Sequence, residues 1–162
     1  MQDWQKMGAF IGNIDAKLDA KGRAFMPAAF RKILQLSGES RLILQKDVYK
    51  DCLILSPEKT WEEKMRNLRT RLNELDEEEQ ELFRQFSWLV EILEIDSNGR
   101  ILIPKKYLQM TNISNNVCFV GMIDTVEMWN PEQLTKSMLN AQDFKNRVKK
   151  TLGSKPANEK SD

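Results

Sequence analysis

The sequence predicts an α+β fold built from two copies of one β-hairpin module. The main support is an internal repeat, because residues 18–30 and 95–107 match at a constant offset of 77 positions. Both segments contain an apolar residue, the letters D-x-x-G-R, three apolar residues, a proline and, three positions later, an aromatic residue. Pro57 and Pro131 then follow later strand-like segments in equivalent places. Solenoid repeats have periods of about 20–50 residues, so this longer offset indicates the duplication of a module.

Each D-x-x-G-R motif predicts a tight turn between two strands. Asp19 and Asp96 take the first position, where the side chain can accept hydrogen bonds from the backbone amides ahead of it. Gly22 and Gly99 take the fourth position, where glycine supplies the positive φ of a turn with a bulge. These four residues are therefore predicted to structure the turns, and the arginine that follows begins each returning strand.

The remaining elements follow the same order in both copies. The motif proline ends the returning strand and begins a short helix, at about residues 27–36 and 104–110. Apolar residues 42–44 and 117–120 predict the third strands. Ser56-Pro57 and Asn130-Pro131 predict two further helices, since Ser or Asn can cap free amides and proline presets φ. The acidic residues 74–81 predict the start of another helix, over about 76–88.

This pattern divides the chain of 162 residues into four parts. Residues 10–73 are predicted to form the first module, 74–89 an acidic helical connector, and 90–145 the second module. Residues 149–162 lack apolar periodicity and are rich in lysine and small polar residues, which predicts a disordered tail. Modules of this size are marginal alone, so we expect a shared core or partner chains.

The composition argues against an enzyme. There is no histidine, which excludes Ser-His-Asp and Cys-His nucleophile systems and most zinc and iron sites. No glycine-rich phosphate loop is present, so we predict no catalytic residue, metal, cofactor or small-molecule substrate. Cys52 and Cys118 lie in apolar segments, as expected of buried thiols in a reducing cytoplasm. No segment resembles a secretory signal or a membrane span.

The charge is segregated along the chain, although the formal net charge is only +1. Residues 1–50 carry nine Lys/Arg against five Asp/Glu, residues 51–100 carry seven against thirteen, and residues 101–162 carry nine against six. Two basic ends therefore flank an acidic middle. Local potential attracts phosphate, so a nearly neutral chain can still present a basic, nucleic-acid-binding face.

The doubled D-x-x-G-R-x-x-x-P motif resembles the SpoVT/AbrB swapped-hairpin DNA-binding domains. Two such modules with a helical insert between them resemble the MraZ family over residues 10–145. This resemblance implies that the AbrB-like modules interlock as a pseudo-dimeric barrel with flanking helices. It also implies a homo-oligomeric ring, associated with the nucleoid in the cytoplasm. In the family, such rings regulate transcription by binding direct repeats in double-stranded DNA upstream of the division and cell-wall gene cluster.

The resemblance assigns DNA contact to the D-x-x-x-R motifs, and therefore to Arg23 and Arg100. The alternative is that each arginine only pairs with the aspartate four residues before it. Lys17, Lys21 and Lys105 are the lysines predicted to add DNA contacts, each with a solvated surface charge as the alternative. The first motif is the more basic in sequence, because Arg31 and Lys32 follow it and Asn98 replaces Lys21 in the second.

A second function from another class remains open at this point. The chain could be an oligomeric adaptor or an antitoxin-like protein that binds a protein partner through its acidic helices, with DNA contact secondary. DNA retention that is sensitive to salt and to loss of Arg23 would favour the regulator. DNA-independent co-purification of a partner through residues 57–88 would favour the adaptor.

Overall fold

The structure, a computed structural model, describes residues 8–153. The elements within this range are β1 (Asn13–Lys17), β2 (Arg23–Phe25), α1 (Ala28–Ser37), β3 (Arg41–Lys46), β4 (Leu53–Pro57), α2 (Glu58–Arg71), α3 (Glu77–Trp88), β5 (Val90–Glu94), β6 (Arg100–Leu102), α4 (Lys105–Met110), β7 (Asn116–Gly121), β8 (Val126–Trp129), α5 (Pro131–Ser137) and α6 (Ala141–Leu152). The α+β class is confirmed, and the order strand, turn, strand, helix, strand, strand, helix occurs twice.

The strands exchange partners between the two copies. β1 of the first copy pairs with β7 of the second, and β5 of the second pairs with β3 of the first. A six-stranded antiparallel sheet results, in the order β1-β7-β8-β4-β3-β5. β2 and β6 form a separate two-stranded ribbon. The copies interlock as the swapped-hairpin resemblance implies.

One core serves both copies, because the exchanged strands leave neither copy with a complete set of neighbours. Buried apolar side chains come from α1, α4 and nearly every strand. Phe10 and Phe30 meet edge to face, with ring centroids 5.5 Å apart, and Tyr107 of α4 is fully buried. Burying such aromatic side chains contributes on the order of 1.5–3 kcal/mol each. Neither copy is therefore expected to fold alone.

The helix starts agree with the sequence prediction, but the predicted cap of α2 does not. Asp76 caps α3 by accepting a hydrogen bond from the Glu79 amide at 3.0 Å, and α5 begins at Pro131. Ser56 was predicted to cap the helix after Pro57, and this is wrong. β4 continues through Pro57, which lies opposite Leu42 of β3, so Ser56 is a buried strand residue and α2 has no side-chain cap.

The chain divides into a compact unit that ends at Pro131 and a second unit that begins at Glu132. The second unit contains most of α5 and all of α6. The predicted disordered tail starts too early, because α6 continues to Leu152. Phe144, Val148 and Leu152 recur at helical spacing, and Asn140 caps the helix by accepting from the Asp143 amide at 2.8 Å. The rest of that predicted tail, residues 154–162, lies outside the described residues.

Candidate nucleic-acid interface

The first D-x-x-G-R motif forms a closed turn between β1 and β2. The Asp19 amide donates to the Arg23 carbonyl at 2.9 Å, and the Gly22 amide donates to the Asp19 carbonyl at 3.1 Å. One oxygen of the Asp19 carboxylate accepts from the amides of Lys21 and Arg23, both at 2.9 Å. The other accepts from Nε of Arg23 at 2.7 Å. The aspartate therefore holds both the turn and the arginine.

The second motif repeats this arrangement between β5 and β6. The Asp96 carboxylate accepts from the amides of Asn98 and Arg100 at 2.9 and 2.8 Å, and from Nε of Arg100 at 3.0 Å. The Gly99 amide donates to the Asp96 carbonyl at 2.9 Å. The predicted turn-structuring roles of Asp19, Gly22, Asp96 and Gly99 agree with these hydrogen bonds.

The turns favour the charged form of both aspartates. The Arg23 amide is the largest influence that holds the pKa of the Asp19 carboxyl below its usual range, and the Arg23 side chain adds to it. Arg100 acts in the same way on the pKa of Asp96. Both carboxylates are therefore ionised at neutral pH, and each stays paired with its arginine.

Pairing uses only one side of each guanidinium. Nε donates to the aspartate, while the terminal Nη atoms of Arg23 and Arg100 have no hydrogen-bond partner within residues 8–153. The two side chains are 32% and 26% exposed. Because a guanidinium has five N–H donors, each arginine can stay paired and still present its outer donors to an anion. The paired-arginine alternative and the DNA-contact prediction are therefore compatible.

The two arginines lie on one face of the β2–β6 ribbon. Arg23 is opposite Leu102, Ala24 is opposite Ile101, and Phe25 is opposite Arg100. Ala24 and Ile101 are buried beneath the ribbon. Since side chains alternate along a strand, both arginines point outward together with Phe25 and Leu102.

Lys17 joins this face, whereas the other two predicted lysines stand apart from it. Lys17 at the end of β1 lines a shallow cavity of about 360 Å³ with Arg23, Phe25 and Arg100. Lys21 lies within the first turn and Lys105 begins α4, and neither lines the cavity. All three lysines are exposed, and none has an ion-pair partner within residues 8–153.

Each turn contacts the opposite copy through its glycine. The Ile103 amide donates to the Gly22 carbonyl at 2.9 Å, and the Met26 amide donates to the Gly99 carbonyl at 3.0 Å. Gly22 and Gly99 have φ of +86° and +82°, which disfavours any other residue. The Arg31 side chain of α1 lies directly against Gly99. The sequence grouped Arg31 with the first motif, and this is wrong, because the exchange of strands places it at the second turn.

We expect Gly22→Ala to destabilise the fold more than Gly99→Ala. A positive φ costs a side chain roughly 1–3 kcal/mol at either position. A Cβ at Gly22 would also lie 2.7 Å from the Ile103 carbonyl oxygen, which is rigid backbone, whereas at Gly99 it meets the flexible Arg31 side chain. Urea unfolding at a fixed chain concentration should show that Gly22→Ala lowers the free energy of unfolding by about 1 kcal/mol or more beyond the effect of Gly99→Ala. An equal or reversed order would contradict this account.

One cluster of potential metal ligands occurs in the described part of the chain, at the β3–β4 hairpin. Asp47, Cys52 and Glu127 offer ligand atoms within 4.8 Å of one another. Burial strongly raises the pKa of the Cys52 thiol, and the Glu127 carboxylate raises it further. The Asp47 carboxylate already accepts from the amides of Tyr49 and Lys50. The Asp47 carboxylate therefore holds the turn of the β3–β4 hairpin.

Phe25 and Leu102 are the residues of this face that the sequence did not single out. The sequence described positions 24–26 only as three apolar residues. The alternation that points Arg23 outward also points Phe25 outward two positions later, and that signal was present in the sequence.

None of the helices within residues 8–153 has the length and hydropathy of a membrane span.

Comparison with known proteins adds independent information on the family. A model of the family described as "MraZ protein, putative antitoxin-like" matches residues 91–153. A protein of Phocaeicola vulgatus named "Transcriptional regulator MraZ" is 46% identical over 89% of this chain and 94% of its own length. A protein of the same name from Bacteroides fragilis is 50% identical, over 83% of this chain and 85% of its own length. A protein of the same name from Shewanella oneidensis is 32% identical, over 76% of this chain and 80% of its own length.

Proposed function

This chain belongs to the MraZ family, and we propose that it is a transcriptional regulator that binds double-stranded DNA with the outward face of its β2–β6 ribbon. The observation that carries the proposal is the symmetric presentation of Arg23 and Arg100. Each is held by an aspartate through Nε, and each has terminal donors free of partners in the described chain. The proposed activity is non-enzymatic, without cofactor or small-molecule substrate.

The proposal gives each predicted side chain a distinct role. Arg23 and Arg100 contact phosphates or guanine edges, for which a guanidinium fork is suited. Lys17, Lys21 and Lys105 add phosphate contacts around them and supply affinity without sequence preference. Asp19 and Asp96 orient the arginines, because a carboxylate that approached phosphate itself would be repelled.

Symmetry within the chain supports binding to repeated DNA sites. We propose that residues 10–73 and 90–145 act as one pseudo-dimeric unit, with 74–89 as connector, and that several chains close into a ring. One face of α6 exposes Phe144, Val148 and Leu152, apolar side chains that a neighbouring copy could cover. In this proposal the ring binds short direct repeats upstream of the division and cell-wall gene cluster, in association with the nucleoid.

Mapping of the DNA bound to the full-length chain across its source genome tests this function. We expect a small number of sites, each with several short direct repeats, and one of them upstream of the division and cell-wall gene cluster. Binding to the recovered sites should fall steeply with salt, since each phosphate contact releases counterions. Recovery of DNA in proportion to genome content, without enriched sites, would contradict the proposal.

A groove at the connector favours a second candidate function. Val48, Leu82, Phe86 and Leu89 line an apolar groove of about 390 Å³ between the β3–β4 hairpin and α3. The same helix α3 begins with a run of glutamates, of which Glu77 and Glu78 are exposed, so a protein segment with apolar and basic side chains would suit it. This is the adaptor or antitoxin-like alternative. It predicts one partner that co-purifies after nuclease treatment and is lost when Leu82 is replaced with Glu.

A further inference from the structure

Two large apolar side chains are exposed among the arginines of the β2–β6 ribbon. Phe25 is 58% exposed and Leu102 is 53% exposed. Phe25 is the cross-strand partner of Arg100, and Leu102 is the partner of Arg23. The outward face therefore carries two arginine–apolar pairs related by the symmetry of the two copies. A ribbon whose outward face only kept the protein in solution would not need phenylalanine and leucine on that face.

Phe25 and Leu102 lie next to the two arginines on the same face of the ribbon, so a ligand that contacts the arginines also contacts the apolar side chains. Cross-strand neighbours have Cβ atoms about 4.5–5.5 Å apart. A two-stranded ribbon fits the major groove of B-DNA, which is about 12 Å wide. If the guanidinium groups reach phosphates or guanine edges, the shorter Phe25 and Leu102 side chains between them face the floor of the groove.

The chemistry of the groove floor identifies what these side chains can contact. The edges of the bases offer hydrogen-bond donors and acceptors in the major groove, and the 5-methyl group of thymine is the apolar group among them. Phe25 has no hydrogen-bonding atom, so its favourable contact is with that methyl group. Arg23, Arg100 and Lys17 outnumber the paired carboxylates of Asp19 and Asp96, so the surrounding surface keeps a net positive charge that complements DNA and opposes the stacking of two such ribbons from separate copies.

We infer that Phe25, assisted by Leu102, reads thymine methyl groups in the major groove and so determines part of the sequence preference. This inference rests on the proposed DNA-binding function. It assigns the arginines mainly to anchoring and guanine contact, and the apolar pair to discrimination of thymine from other bases.

The test compares two versions of one DNA duplex. The duplex carries a site recovered by genome mapping, with its thymines intact or replaced throughout by uracil, which lacks only the 5-methyl group. Burial of one methyl group changes affinity roughly four-fold, so two or more contacted methyls should make the thymine duplex bind at least about fifteen-fold more tightly. Phe25→Ala should reduce that ratio to about two-fold, and Phe25→Leu should retain most of it.

Leu36→Ala provides the matched control, since Leu36 is an exposed apolar residue of α1, outside the ribbon. It should leave the ratio unchanged, and circular dichroism should confirm that all variants are folded. Equal binding of both duplexes by the wild-type chain, with affinity that still depends on Arg23, would overturn the inference and leave the proposed function standing. A full thymine preference in Phe25→Ala would overturn it as well. If Phe25→Ala changes the molar mass on light scattering and leaves the ratio of thymine-duplex to uracil-duplex affinity unchanged, a second copy of the chain covers Phe25. This outcome too would overturn the inference. Absence of any specific DNA binding would instead refute the proposed function.

Discussion

Replacement of Arg23 and Arg100 together with alanine is expected to weaken binding to a mapped site by at least about thirty-fold. Each bidentate arginine contact is worth roughly 1–3 kcal/mol, and the two contacts lie on one face of the same chain. Loss of either arginine also leaves an aspartate close to the DNA without its cation, and that carboxyl stays ionised because the backbone amide that lowers its pKa most is retained in the alanine variant. Fluorescence anisotropy at constant salt measures the effect.

A double replacement of Arg66 and Arg71 is the matched control for this experiment. Both arginines are exposed on α2, so their removal changes the net charge equally but takes no side chain from the ribbon. We expect the control to bind within a few-fold of the wild-type chain. The salt slope of the Arg23 and Arg100 variant should also become shallower, by about one for each phosphate contact that is lost. A folded variant without both motif arginines that keeps full affinity would exclude the ribbon as the DNA-binding face.

Insertion of half a helical turn between two repeats of a mapped site is expected to weaken binding far more than insertion of a full turn. A single ribbon offers two arginines and one adjacent lysine, which is few contacts for specific binding. Avidity between linked modules can add about 10²–10⁴ in affinity, provided that the sites face the protein together. About five extra base pairs turn the second repeat to the opposite side of the duplex, whereas about ten restore its direction.

Binding measured on three duplexes separates the possibilities. The natural spacing should bind best, the full-turn insertion should lose a small factor from the added length, and the half-turn insertion should approach the affinity of one isolated repeat. Duplexes that bend easily should lose less affinity on insertion, because the DNA must follow the shape of the oligomer. Equal tolerance of both insertions, or one repeat that binds as tightly as the array, would rule out linked modules as the source of affinity.

The local parts of the site could be predicted from the sequence, because they depend on residues that are close together in it. Asp19 and Gly22 are three positions apart, and an aspartate and a glycine at that spacing close a turn by their own chemistry. The exit of each returning strand into a helix likewise follows from the proline. The helices α1, α3 and α4 therefore begin within a residue or two of the predicted positions.

The non-local parts could not be predicted in this way. Nothing near β1 specifies that it pairs with β7, so the sequence placed Arg31 beside the first turn when it lies against the second. Ser56 has the composition of a helix cap, but pairing between β3 and β4 keeps it in a strand. The last turn of α6 was assigned to a tail because residues 149–162 lack apolar periodicity and are rich in lysine and small polar residues, among which Leu152 alone gave a weak helical signal.

The exchange of strands has a consequence for the time at which the protein becomes active during its synthesis. β1 leaves the ribosome first but finds its partner only when residues 116–121 have been made, about a hundred residues later. At roughly 5–20 residues per second, that interval is on the order of 5–20 s. The ribbon that carries Arg23 stays incomplete for most of that interval, because its other strand begins at Arg100. A nascent or truncated chain that ends before β6 cannot present both arginines, so it cannot compete with finished subunits for the DNA.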